Sequence, residues 1–380
     1  MKVLIVVTHL LGSGHLARAL NLGRAFAGQG HDTCIVSGGV TAAHLNSDGV
    51  KVVQLPPLRS DGTNFPRLLT LAGQVADDTY LTGRTDRLCA AVKGFCPDVL
   101  ITELFPFGRR VLADEFLAGL DAARGLACPP VILSSVRDIL APPSKPAKAR
   151  QTADIVERLY DAVLVHSDPH GTPLDLSWPV TASLRERLRY TGYVAPPPAT
   201  PDATAPGRGE ILVSAGGGGV GDAVFQTALQ AARTMPGTRW RILVGGADPG
   251  QTIDALNRQA AGSDVIIEPA RPEFRTMLLH ASASVSLCGY NTALDVLQSR
   301  VPAVFVPFDE GGEVEQSLRA TALARLGSVQ VVRAGDLSAD QLCRAVSKVI
   351  ESGRRSGGGL QFDGAAQTVA IATAMAEART

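Results

Sequence analysis

The residues of this chain that could do chemistry gather around two glycine-rich turns and one helix start. The first turn, Gly12-Ser13-Gly14-His15, ends in an imidazole, a group that titrates near neutral pH and can take a proton from a hydroxyl. Arg18 stands one helical turn further on, placed to meet a phosphate or to face solvent. Two carboxylates, Glu103 and Asp138, fall at the ends of apolar runs. Each could replace His15 as the base, orient it, or simply pair with Arg109, Arg110 or Arg137. The second turn follows Ser214 and reads Gly216-Gly217-Gly218-Gly219. Bare backbone N–H groups at such turns, backed by the positive end of a helix, suit an anion or a closely approaching substrate.

The third cluster is more specific. Cys288-Gly289-Tyr290-Asn291-Thr292 follows the apolar run 284–287 and opens a helix that carries Asp295. Thr292 and Asp295 are three apart and share one helical face. The helix start can therefore meet a diphosphate while the carboxylate accepts hydrogen bonds from ribose hydroxyls. After the run 301–308, Asp309, Glu310, Glu315 and Gln316 bring short acidic and amide side chains to the same sheet edge, where they suit sugar hydroxyls.

Positioning such groups takes parallel strands that each feed a helix. Val3–Val7, Thr33–Val36, 99–101, 131–133 and 162–165 are short apolar runs bounded by Pro, Asp or Ser, as strands covered on both faces read. An amphipathic helix is expected over His15–Gln29, stopped by Gly30. Proline-rich residues 195–207 read as a structureless connector between domains. The second half repeats the pattern with strands near Ile211, Ile242, Val265, Val285, Val304 and Val329. Gly357-Gly358-Gly359 reads as a joint before a last helix near 364–378. The expected domains are 1–195, a linker at 196–208, 209–355, and a joint with a terminal helix at 356–380. The fold class is α/β, two Rossmann-like βαβ domains facing a central cleft.

Composition narrows the function. The 380 residues are 45% hydrophobic, with Lys+Arg 36 against Asp+Glu 36, so no charge excess draws the chain to nucleic acid. No apolar run reaches membrane-spanning length and no signal peptide is evident, so a cytoplasmic protein is expected, with peripheral contact at the inner membrane face left open. Six scattered cysteines suit reduced core positions. Gly12-x-Gly14-x-x-Ala17 superficially fits a dinucleotide fingerprint. The second strand, however, runs into Ser37-Gly38-Gly39 where that fold needs an acid for the ribose. No Lys-Ser or Lys-Thr follows either glycine turn, which removes a P-loop.

Together, the first glycine turn with its histidine, the second glycine turn and the block 289–316 resemble the two-domain glycosyltransferases of the GT-B type. The resemblance is to the branch containing the N-acetylglucosaminyltransferases that complete lipid II. It implies a UDP-sugar donor on the C-terminal domain. Gly289, Tyr290, Asn291 and Thr292 would lie at the diphosphate, Asp295 at the ribose, and Glu315 with Gln316 at sugar hydroxyls. Ser214 and glycines 216 to 218 would line the cleft near the phosphates. On the acceptor side it implies Gly12, Ser13, Gly14, Arg18, Arg109 and Arg137, with His15, Glu103 and Asp138 as the catalytic set. It further implies inversion at the anomeric carbon with no metal and no cofactor, the nucleotide-sugar being a substrate. No Asp-x-Asp pair of the metal-dependent kind occurs.

Two departures mark the acceptor as different from lipid I. Thr191–Pro196 lacks the arginine that this branch has at the domain junction, and 103–110 with 134–138 resemble a separate bacterial group of predicted glycosyltransferases. The segment Leu58–Phe95 suggests room for a larger acceptor. The start Gly12–Arg18 also resembles the Gly-x-Gly-His-x-x-Arg start of the UDP-sugar hydrolases of pseudaminic acid synthesis, where water would be the acceptor. A GT-B epimerase or a non-catalytic nucleotide-sugar binder complete the alternatives.

Overall fold

In the computed structural model, residues 1–379 are described except for 43–44, 62–66, 216–218, 247, 261–263, 310–312 and 357–358, with the side chains of 219–220 also outside the description. The chain divides into two compact units. One comprises Met1–Pro169, Pro173–Val194 and Gln361–Thr380, and the other His170–Thr172 with Ala195–Leu360.

The first unit is built on an eight-stranded sheet. Its strands are β1 (Lys2–Val7), β2 (Asp32–Gly39), β3 (Lys51–Ser60), β4 (Leu68–Leu69), β5 (Val99–Glu103), β6 (Val131–Arg137), β7 (Ala162–His166) and β8 (Leu188–Tyr190). Their order is β4-β3-β2-β1-β5-β6-β7-β8, parallel throughout except where β4 closes antiparallel on β3. The apolar runs are what the sheet centre needs. Every residue of β5 and β7, and all but the first of β1, is buried, because helices cover both faces. Each such Val, Leu or Ile contributes about 1.5–3 kcal/mol by leaving water. Helix α1 (Gly14–Gly28) follows β1 and presents Leu16, Leu20 and Phe26 to the sheet. It stops before Gly30, whose φ of +82° suits glycine.

Three features were not legible as strands and helices. β3 contains Pro56-Pro57, which disguises a strand. β2 runs three residues past the expected end, its glycines pressed so closely on Thr8 and His9 that a Cβ would collide with their side chains. The segment expected to leave room for an acceptor ends in α2 (Asp78–Phe95), an 18-residue helix capped by Asp77 and packed on α3 (Ala113–Arg124). Arg84 of α2 is fully buried against Glu115 of α3 at 2.8 Å, and with Leu88 and Val92 it makes the buried face of the helix.

The second unit has six parallel strands: β9 (Glu210–Ala215), β10 (Arg239–Val244), β11 (Val265–Pro269), β12 (Ala283–Ser286), β13 (Ala303–Phe305) and β14 (Val329–Val331), in the order β11-β10-β9-β12-β13-β14. Here the proline-rich connector is not structureless. Pro196 O accepts from Gln298 Nε2 at 3.0 Å and Pro197 O from Arg275 Nη2 at 2.7 Å, which ties the connector to α8 (Phe274–His280) and α9 (Tyr290–Ser299). The last helix, α12 (Gly364–Glu377), belongs to the first unit and packs on α1, burying Val369 and Ala372. Among the described residues no helix is long and apolar enough to cross a membrane.

Candidate active site

Both sheets place their chemistry at the carboxyl ends of the strands. In the first unit β1 ends at Val7, the chain turns at Gly12 with φ +57°, and His15 follows in the first turn of α1, with Ser13 as the N-cap residue. Glu103 is the last residue of β5, and Ser135 stands directly beside it in the register with β6. His15 Nδ1 lies 2.8 Å from Glu103 Oε1. Arg18, one turn along α1, donates from Nη2 to the same oxygen and from Nε to Oε2 at 3.4 Å. Glu103 is therefore a buried carboxylate with a guanidinium on one side and an imidazole on the other.

Charge and tautomer follow from this geometry. Burial alone would raise the Glu103 acid, but Arg18 and the His15 bond outweigh it and hold the group far below the usual carboxylate range. Arg18 Nη2, which can only donate, also stands 3.1 Å from His15 Nδ1, but the carboxylate, which can only accept, is nearer at 2.8 Å, so Nδ1 carries the proton and gives it to Glu103. Burial pushes the imidazolium down to about 4 against the opposing pull of Glu103, so the ring is neutral near pH 7 and its Nε2 is a bare base. The side chain keeps 16% of its surface exposed, against 1% for Glu103, and no described residue bonds Nε2. A neutral histidine with a carboxylate behind Nδ1 is built to take a proton at Nε2.

The other residues expected here divide. Arg109 adopts a left-handed backbone (φ +59°) and bonds Thr8 O through Nε at 2.6 Å. Burial lowers it to about 10, with Arg137 and Arg18 repelling it and Glu103 opposing the shift. Arg137 bonds Ile139 O at 3.1 Å. Positive charge thus concentrates beside His15. Asp138 is buried just after β6, so of the two candidate acids it is Glu103 that orients the histidine.

Sequence reasoning missed the groups behind Glu103. Ser135 Oγ donates to Glu103 Oε2 at 2.5 Å and lies 2.9 Å from His166 Nε2, while His166 Nδ1 lies 2.9 Å from Thr191 Oγ1. The available signal was positional: His166 ends the buried run of β7 at the same sheet edge as Glu103.

In the second unit, Gly289 is the N-cap of α9, and Thr292 lines a pocket of about 290 Å³ with Ser214, Ala215, Leu243, Ala270 and Phe274. Ser214 Oγ is buried there without a partner among the described residues, as a ligand contact would leave it. Glycines 216 to 218 and Glu310 lie outside the described residues. Asp295, expected at a ribose, is bonded by Arg275 Nε at 2.9 Å; burial raises its acid and Arg275 opposes. Arg275 also reaches Gln298 at 2.8 Å. Glu315 accepts from Arg319 at 2.8 Å, and Arg319 in turn bonds Cys288 O at 2.8 Å and lies over the Tyr290 ring. Gln316 Oε1 accepts from Cys288 N at 3.0 Å and Phe308 N at 3.2 Å. Glu315 and Gln316 thus brace the start of α9, where Tyr290 and Asn291 begin the helix. Among the described residues no three His, Cys, Asp or Glu side chains are grouped to hold a metal.

Residues 226–361 match the model of the glycosyltransferase family 28 C-terminal domain. The match covers little more than a third of the chain and lies within its second half. The chain is 31% identical over 151 residues to UDP-N-acetylglucosamine–N-acetylmuramyl-(pentapeptide) pyrophosphoryl-undecaprenol N-acetylglucosamine transferase of Paracidovorax citrulli. That match spans 38% of this chain and 42% of the relative. Among solved structures it resembles MurG of Acinetobacter baumannii, with TM-score 0.67 and 16% identity over 99% of this chain and 100% of that one. It also resembles CalG4, the calicheamicin glycosyltransferase, with TM-score 0.61 and 17% identity over 100% and 98%. The fold shared with these structures is GT-B, two parallel-sheet Rossmann-like domains.

Proposed function

We propose that this protein transfers a sugar from a nucleotide-sugar to the hydroxyl of an acceptor, with inversion and without a metal. The His15–Glu103 pair carries this reading. His15 Nε2 takes the acceptor proton as the acceptor oxygen attacks the anomeric carbon. The bond from that carbon to the diphosphate breaks, and the leaving group departs with the electron pair. Backbone N–H groups at the start of α9 are preorganised for the charge it gains. Glu103 holds the tautomer and steadies the imidazolium that forms. The pocket beside Thr292 takes the nucleoside. By its name, the relative from Paracidovorax citrulli uses UDP-N-acetylglucosamine, which makes a UDP-sugar the first donor to try.

The test is a thermal-shift screen of UDP, GDP, dTDP and CDP with their sugar conjugates, followed by nucleoside diphosphate release with an acceptor panel. A binder stabilises the fold by mass action. The expected result is one nucleotide series that stabilises wild type and His15→Ala alike, with release about 10²–10⁴-fold slower in His15→Ala. Stabilisation by no nucleotide overturns the reading, and sugar release to water alone replaces transfer with hydrolysis.

A further inference from the structure

Behind Glu103 the polar groups form a line rather than a scatter. Glu103, Ser135, His166 and Thr191 sit at the carboxyl ends of β5, β6 and β7 and just after β8, and all four are buried to 2% exposure or less. Each touches the next at 2.5–2.9 Å. Polar groups this deep are costly unless every hydrogen is placed, so their hydrogens can be counted.

Ser135 has one hydroxyl hydrogen and two neighbours that could take it. Glu103 Oε2 can only accept, and it is the nearer at 2.5 Å, so the hydrogen goes there. Ser135 Oγ must then accept from His166, which places the imidazole proton on Nε2. Burial keeps that ring neutral, lowering its imidazolium to about 3, so Nδ1 is bare and accepts from Thr191 Oγ1. Every donor in the line points toward Glu103. The reverse arrangement, with Thr191 donating to Gly192 O at 2.8 Å, would require a proton on both His166 nitrogens. Oε2 thus holds Ser135, with Arg18 Nε at 3.4 Å, and Oε1 faces His15 and Arg18 Nη2.

We propose that Ser135, His166 and Thr191 are positioning residues, a one-way chain of hydrogen bonds that fixes the rotamer of Glu103 and through it the tautomer of His15. The significance of that tautomer rests on the reading of His15 as the base. The chain ends beside the segment where the polypeptide leaves the first unit: Tyr193 N bonds Gln361 O at 2.8 Å, directly after Thr191-Gly192.

The test needs neither donor nor acceptor. Selective ¹⁵N labelling of the imidazoles resolves the seven histidines by NMR, and nitrogen shifts report which ring atom carries hydrogen. In wild type, His15 is expected as Nδ1–H and His166 as Nε2–H. Ser135→Ala and His166→Phe should each move His15 to a mixture of tautomers. Thr191→Val, close to isosteric, should alter His166 first and His15 less. His166→Gln, which keeps a donor toward Ser135, should restore the His15 signal. In the donor assay Ser135→Ala should lower kcat about ten- to a hundredfold at unchanged donor KM, the scale of one hydrogen bond to a charged group. A His15 tautomer unchanged in folded Ser135→Ala and folded His166→Phe overturns the proposal, even if transfer is active. A failure of the transfer reading would appear only in donor turnover and leave the tautomer readout intact.

Discussion

Replacing Glu103 by Gln tests the site at its most sensitive atom pair. The side chain keeps its shape but loses its charge, and Arg18, 6% exposed, is left with a buried guanidinium facing an amide. Removing one partner of a buried pair costs about 3–5 kcal/mol. For a unit of about 210 residues each kcal/mol is worth roughly 2–4 °C, so Glu103→Gln should melt on the order of 10 °C below wild type. The cost comes from the stranded charge, so removing the charge should return it. The double variant Arg18→Met, Glu103→Gln is expected to recover a coupling of about 1–3 kcal/mol relative to the summed single variants. Urea denaturation followed by circular dichroism reads all four corners of the cycle. Turnover should not recover, because a neutral amide no longer fixes the Nδ1–H tautomer; an amide in that place behind a catalytic histidine lowers kcat about 10⁴-fold. Strictly additive stabilities in the double variant would refute the buried-pair account. Full turnover in Glu103→Gln would refute the orienting role.

Three further outcomes are expected. The His15 imidazolium is lowered from 6.5 to about 4, so the unfolded chain binds the extra proton between those values. Its contribution, about 3 kcal/mol, is therefore fully present above pH 6.5 and lost as pH falls toward 4, with the acid limb of kcat near 4 rather than 6.5; denaturation and rate profiles against pH check both. Asp295→Ala should weaken nucleotide binding and also loosen the connector through Arg275, read as a smaller thermal shift with UDP and faster amide exchange at residues next to Pro196 and Pro197. Gly364→Ala places a methyl against the backbone of Gly192 and Tyr193, which cannot yield as a flexible side chain would; a loss of about 1–3 kcal/mol, with faster hydrogen exchange along α12, is expected.

Much of the architecture was legible because buried parallel strands and their glycine-to-helix turns are local statements. Val3–Val7 followed by Gly12–His15, and 284–287 followed by Gly289–Asp295, each declare a strand, a turn and a helix within some twenty residues. β3 was hidden because its prolines speak against a strand, and only pairing with β2 overrides that local preference.

The candidate site was legible as residue types but not as roles. His15, Glu103 and Asp138 were all plausible bases, and nothing in their spacing ranks them. The ranking comes from β5 lying next to β1 in the sheet, which brings position 103 to position 15 across 88 residues of chain. The same holds for Asp295, whose pairing with Arg275 depends on α8 packing against α9. It holds again for His166, an unremarkable residue in the sequence until strand register sets Ser135 between it and Glu103. The amino-acid sequence by itself determined the strands, the anion-suited turns and which chemical groups were available. Only the tertiary structure decided which groups share hydrogens, because burial and distance, not order along the chain, set the protonation and tautomer of each.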